Sequence, residues 1–246
     1  MLPTLAVLVG ASRVVVSLHA VAIVVAVAAG GLLVARRAPT PTFGLATAAI
    51  VAVAALAGGH GLFRVLHGGP GGLWSSGLAS TGAVGAGLAA ACVVAWITHH
   101  PAREVLDAVA PGALLAFGIG RIGCFLAGCC YGSPTALPWG VVFPALGLPA
   151  RHPLQLYSAA GDLGLLLFLR PRPEVPGLVA YRACVGFGCL RSALECLRDP
   201  ATRDLLPGGS VTLAQSAALV LVVAGLVGNR VLRGQDASTM PPRRRS

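Results

Sequence analysis

Apolar residues fill this chain in seven long blocks, separated by short polar, proline- or glycine-bearing breaks. They run approximately Val14–Val34, Leu45–Val65, Leu73–Ile97, Val105–Ala127, Pro153–Leu169, Gly177–Leu197 and Val211–Leu232. A hydrocarbon core about 30 Å thick takes roughly 20 apolar residues in a helix. Each block therefore predicts a transmembrane helix. Glycine and alanine recur within the blocks, which suits close helix packing in lipid. The pattern gives an all-α polytopic membrane protein with one transmembrane domain over residues 1–232. No repeat and no soluble second domain are visible. The tail, 233–246, ends in QDASTMPPRRRS, has no periodic apolar face and is predicted to be disordered.

Composition agrees. The 246 residues are 56% hydrophobic and 11% charged, with a mean hydropathy of +0.81. A soluble domain of this length leaves too much surface in water to hide so many apolar side chains. The net charge of +10 would suggest nucleic acid in a soluble protein, but basic and aromatic residues are not interleaved as such binding requires. Nucleic acid is not an expected partner; the lipid bilayer is.

In a membrane protein, arginine in short loops sets orientation. Arg36, Arg37, Arg103, Arg170, Arg172, Arg182, Arg233, Arg243, Arg244 and Arg245 fall on one side of the seven blocks, and Arg13, Arg64, Arg151, Arg198 and Arg203 on the other. The richer side reads as cytoplasmic, so the N-terminus lies outside and the C-terminus inside. The first block does not resemble a secretory signal, because its arginine pair follows the apolar run. The tail arginines would favour anionic headgroups.

Seven cysteines lie mostly within apolar blocks, where inert small core residues are the expectation and a disulfide framework is not. Cys124, Cys129 and Cys130 lack the paired Cys-x-x-Cys units of a strong zinc site. No metal and no cofactor are expected.

Two blocks carry charges where charge is costly. Arg121 lies about 16 residues into the fourth block and Arg191 about 14 into the sixth, both running from inside to outside. Two separate helices thus bring a guanidinium to similar depth near the outer leaflet. A charge there costs several kcal/mol unless a fixed partner or an anionic ligand compensates it. Arg191 shares a helix face with Glu195 and Arg198, four and seven residues on. Arg121 has no nearby acid in its own block; its face carries Cys124, Phe125, Gly128 and Gly132, small residues for the most part. Arginine grips phosphate with a planar fork of donors, and the anion found at this depth is a phospholipid headgroup. The plainer reading, snorkelling arginines that hold topology alone, does not account for the small neighbours.

Between the fourth and fifth blocks lies a Pro- and Gly-rich outer segment with Trp139, predicted as an outer-face arm over about residues 132–152. It ends in RHPLQLY, which concentrates Arg151, His152, Gln155 and Tyr157. Pro153 fits the first turn of the fifth helix, and the imidazole of His152 is a side chain that could move protons.

GRIGCFLAGCCYG, RHPLQLY and GFGCLRSALECLRDP, in this order and spacing, resemble the prolipoprotein diacylglyceryl transferases of bacterial inner membranes. The similarity runs from the first predicted helix to the seventh. It implies seven transmembrane helices with the N-terminus outside, in agreement with the arginine bias. It implies transfer of the diacylglyceryl group of phosphatidylglycerol to the lipobox cysteine of a prolipoprotein signal peptide, giving a thioether and free glycerol phosphate. Arg121 and Arg191 match the family's two essential arginines, and Glu195 the acid one turn later. His152, Gln155 and Tyr157 fall on the outer-face motif, and Gly132 on the glycine closing the fourth-helix motif.

The chain also departs from the family. Cys124 and Cys129 stand where better-known members read Gly-Asn-Phe and Gly-Glu. Thr81 stands where they carry a histidine, His19 aligns with a first-helix tyrosine, and Phe187 with a sixth-helix tyrosine. The expected catalytic set is Arg121, Arg191, His152 and Glu195. The expected substrate-binding set is Arg121, Gly132, Gln155, Tyr157, Arg198 and His19. With Thr81 at the histidine position, His19 and His152 both stand as candidate bases. A lipid-binding protein without catalysis, or a transferase using another acceptor, are the competing functions.

Overall fold

The computed structural model describes residues 4–9, 12–68, 78–169, 175–206 and 209–239. Seven helices dominate: α1 (Leu18–Arg37), α2 (Pro41–His67), α3 (Ser80–Ile97), α4 (Ala102–Ala127), α5 (Leu154–Phe168), α6 (Leu178–Cys196) and α7 (Leu213–Thr239). Five of them, α1 to α4 and α7, are long and apolar enough to cross a membrane. Helix α5 has only 15 residues, and α6 carries Arg182, Arg191 and Glu195 within its 19. Val24 and Val53 sit mid-helix yet are 67% and 69% exposed. Apolar surface of that extent needs lipid around it, and the chain is a multi-pass membrane protein.

The all-helical expectation is corrected in two places. Strands β1 (Thr4–Val9) and β2 (Ser12–Ser17) pair antiparallel, Thr4 opposite Ser17 and Val9 opposite Ser12. The first helix accordingly starts at Leu18 rather than Val14. The valine triplet Val14–Val16 favours extended pairing, because β-branched side chains lose rotamer freedom in a helix. Strands β3 (Val141–Phe143) and β4 (Gly147–Arg151) form a second antiparallel hairpin inside the predicted arm. At the other end of the chain, α7 continues to Thr239 instead of stopping at Leu232. No proline intervenes before Pro241, so helix propagation proceeds past Gly234. Of the predicted third helix, residues 73–77 lie outside the described residues, as do Arg170, Arg172 and the three tail arginines.

Small residues let the helices approach. A Cβ built on Gly30 of α1 would meet the backbone oxygen of Gly112 of α4 at 2.6 Å, and one on Gly112 would meet that of Gly30 at the same distance. Only glycine at both positions permits this backbone contact. The buried core beside it is Val34, Ala91, Ala95, Val105, Ala108 and Val109.

Contacts gather one end of the bundle. His67, closing α2, lies 3.2 Å from Asp204 beyond α6. Ser80, opening α3, bonds to Arg191 near the end of α6. His19, opening α1, packs beside Gly123 near the end of α4. The ends of α2, α4 and α6 therefore stand with the starts of α1 and α3, and the arm lies at the same end.

Candidate functional site

Helix α4 ends because Gly128 takes the left-handed conformation, φ 74°, and Cys130 follows at φ 58°. The second is uncommon for a residue with a side chain, costing about 1–2 kcal/mol. Together they turn the chain back over the last helical turn, where the Cys129 amide donates to the Cys124 carbonyl at 3.2 Å. From α5, Gln155 Nε2 donates to the Cys129 carbonyl and holds this turn.

The arm is then stitched to α6. The Gly132 amide donates to His152 O, and the Ser133 amide to Leu197 O, each at 2.9 Å. Arg151 pairs with Asp199, donates to Gly132 O at 3.3 Å and stands over the Tyr131 ring at 5.0 Å. Arg203 donates to the Arg198 carbonyl at 2.8 Å and the Cys196 carbonyl at 3.1 Å, covering acceptors that the end of α6 leaves free.

Beneath this stitching, Arg121 and Arg191 line one narrow pocket with Arg198, Glu195, Ser158 and Cys130. The two arginines reach it from different helices. Arg191 Nη2 donates to Ser80 Oγ at 3.0 Å. Glu195 is buried, with Oε2 3.5 Å from Arg198 Nη1. Behind the pocket, Ser158 Oγ donates to Asp162 Oδ2 at 3.3 Å. Asp162 is 1% exposed, and its charge acts on both Arg121 and Arg191. Three guanidiniums against two carboxylates leave one positive charge in excess, which suits an anionic ligand.

Arg191 also lines an apolar groove of about 350 Å³ between α3, α6 and α7, together with Ser80, Thr81, Leu88, Phe187 and Leu221 among others. The groove joins an acyl-like environment to the charged pocket through a single side chain.

Of the residues expected from sequence, Arg121, Arg191, Glu195 and Arg198 meet in the pocket. The others stand apart from its lining. His152 Nδ1 lies 3.3 Å from Tyr157 Oη, which accepts from Trp139 Nε1 at 2.8 Å. Gln155 braces the cysteine turn. His19 has a buried Nδ1 with no hydrogen-bond partner among the described residues and packs against α4. Gly132 is not on the Arg121 helix face, because α4 has already ended. Its position is one of close approach: a Cβ there would meet Leu197 O and His152 Cβ, each at 2.8 Å.

Asp162, Ser158 and Ser80 were not anticipated. A sequence signal for the first existed: Gln155, Ser158 and Asp162 follow at steps of three and four along an apolar helix, where a lone acid is costly. The three thiols of Cys124, Cys129 and Cys130 also come together, all their Sγ atoms lying within 4.8 Å of one another.

Fold and site thus define a polytopic helical membrane protein that concentrates guanidinium groups at one end, beneath a stitched arm. The sequence profile of the prolipoprotein diacylglyceryl transferase family matches residues 6–230, and the chain belongs to that family. It is 35% identical over 164 residues to the phosphatidylglycerol–prolipoprotein diacylglyceryl transferase of Cupriavidus metallidurans, covering 63% of this chain and 59% of that protein. The protein of the same name from Pseudoalteromonas translucida is 36% identical over 146 residues, 56% of this chain and 54% of its own length. That from Methylocella silvestris is 35% identical over 161 residues, 63% and 59% respectively. The chain spans less than two thirds of the length of these curated relatives.

Proposed function

We propose that the protein transfers the diacylglyceryl group of phosphatidylglycerol to the lipobox cysteine thiol of prolipoproteins. It does so from a bacterial inner membrane, through seven spans with the N-terminus outside and the C-terminus inside. The single observation that carries this function is the convergence of Arg121 and Arg191, from separate helices, on one pocket with excess positive charge. The names of the relatives and the family point the same way.

In this mechanism the acyl chains occupy the groove between α3, α6 and α7, and the phosphate reaches Arg121, Arg191 and Arg198. The acceptor thiol gives up its proton and attacks the glyceryl carbon. A carbon–sulfur bond forms, the carbon–oxygen bond to phosphate breaks, and glycerol phosphate leaves with the electron pair. Arg121 and Arg191 stabilise the charge that builds on the leaving phosphate, the kind of preorganised electrostatic help that dominates in dry sites. Glu195 holds Arg198 in place. His152, backed by Tyr157, accepts the thiol proton; His19, Gln155 and Tyr157 position the two substrates. The thiolate is the nucleophile.

Reconstitution in phosphatidylglycerol vesicles with a lipobox peptide tests this. Thioether product by mass analysis and stoichiometric glycerol phosphate are expected, with a loss of about 100-fold or more in Arg121→Ala or Arg191→Ala. Unchanged rates in both variants would refute the mechanism. Lipid binding without product would mark a non-catalytic lipid-binding protein instead.

A further inference from the structure

We propose that Cys124, Cys129 and Cys130 form a binding site for a single thiophilic divalent cation of the zinc class, on the shoulder of the arginine pocket. The transfer chemistry requires no such ion, and the site stands independently of it.

The three sulfurs converge through the backbone, not through helical periodicity. Left-handed Gly128 and Cys130 reverse the chain, the Cys129 amide returns to the Cys124 carbonyl, and Gln155 fixes the Cys129 carbonyl. Their Sγ atoms lie within 4.8 Å of one another. Around tetrahedral zinc, with zinc–sulfur bonds near 2.3 Å, thiolate sulfurs stand about 3.8 Å apart. A contraction of about 1 Å, within reach of side-chain rotation, closes the distance. Three protein ligands leave a fourth position open, as in zinc sites that exchange ligands.

Charge and access also fit. Three thiolates around a divalent cation carry one net negative charge. The guanidinium of Arg121 interacts electrostatically with all three cysteines and offsets that charge. Cys129 and Cys130 are exposed, so an ion arrives without crossing the core. Cys130 also lines the arginine pocket, so site and pocket share a wall. The free cysteines Cys92, Cys184, Cys189 and Cys196 lie outside this cluster. Binding replaces each thiol proton by a metal–sulfur bond, with up to three protons released per ion and no change of oxidation state.

The test uses the full chain, purified reduced and metal-free, with its thiols counted first. Cobalt(II) is then titrated in, without lipid or peptide, and thiolate-to-metal charge-transfer absorption is followed. One ion per chain is expected. Replacing Cys124, Cys129 and Cys130 together by serine should abolish the band and weaken binding at least about 100-fold, with helicity unchanged by circular dichroism. Replacing Cys92, Cys184, Cys189 and Cys196 by serine should leave band and stoichiometry intact. The proposal is overturned if the wild-type chain gives no thiolate band, if the triple variant binds equally well, or if two of the three cysteines prove to be joined as a disulfide in the native protein.

Discussion

Arg191 donates from Nη2 to the hydroxyl of Ser80 at 3.0 Å, so the start of α3 holds a guanidinium that belongs to α6. The same arginine borders both the charged pocket and the apolar groove. A hydrogen bond to a charged group contributes about 1.5–3 kcal/mol. Ser80→Ala is therefore expected to slow lipid transfer by roughly 10- to 100-fold without unfolding the protein. Ser80→Thr, which keeps the hydroxyl, should recover most of the rate. Initial rates in phosphatidylglycerol vesicles measure both.

Gly132 gives a prediction of a different kind. A methyl group there meets a backbone oxygen that cannot swing away, the Leu197 carbonyl. Overpacking of this sort costs about 1–3 kcal/mol. Gly132→Ala should lower the thermal unfolding temperature and loosen the arm. A contact with substrate would instead leave stability alone and raise KM.

Acid should undo the stitching of arm to α6. The Asp199 carboxyl lies below its ordinary value of 3.8, first because it accepts from the Ala201 amide and then through its bond to Arg151. A carboxylate depressed in the folded state stabilises that state fully above the unfolded pKa. The contribution is lost as pH falls through the lower folded value. The arm should thus hold at neutral pH and loosen only below about pH 3.8. Trp139 fluorescence during acid titration reports this, and Asp199→Asn should remove the acid-dependent step.

Occupying the three-cysteine site places a negatively charged complex against Arg121, the side chain proposed to hold the lipid phosphate. Coupling between two ligands is reciprocal. Zinc is expected to slow transfer in the wild-type chain and to have no effect on the residual rate of the triple serine variant. Rates measured against free zinc concentration decide it.

The helices were readable because lipid imposes a simple length rule: each of the seven apolar blocks holds a helix among the described residues, and five of these are long and apolar enough to cross a membrane. The pairing of Arg121 with Arg191 was readable because two costly charges at one depth invite one explanation. Other features escaped for identifiable reasons. Extrapolating the Arg121 face beyond Ala127 misplaced Gly132, because a single left-handed glycine ends the helical period. The same turn collected Cys129 and Cys130 over Cys124, which helical spacing alone separates. Ser80 gave no signal, being a small residue at a helix start whose partner lies 111 positions away. Asp162 gave one, a lone acid in an apolar helix, that the more prominent arginines overshadowed. The hairpin β1–β2 lay hidden in valines that suit strand and span alike.

The groove between α3, α6 and α7 is lined mostly by apolar side chains, and Arg191 belongs both to it and to the charged pocket. Under the proposed function, a lipid donor that keeps its acyl chains in that groove never dissolves in water. Its supply is set by how many of its kind share the leaflet, so diluting the membrane with neutral phospholipid should slow the proposed transfer, while diluting the vesicle suspension with buffer should not.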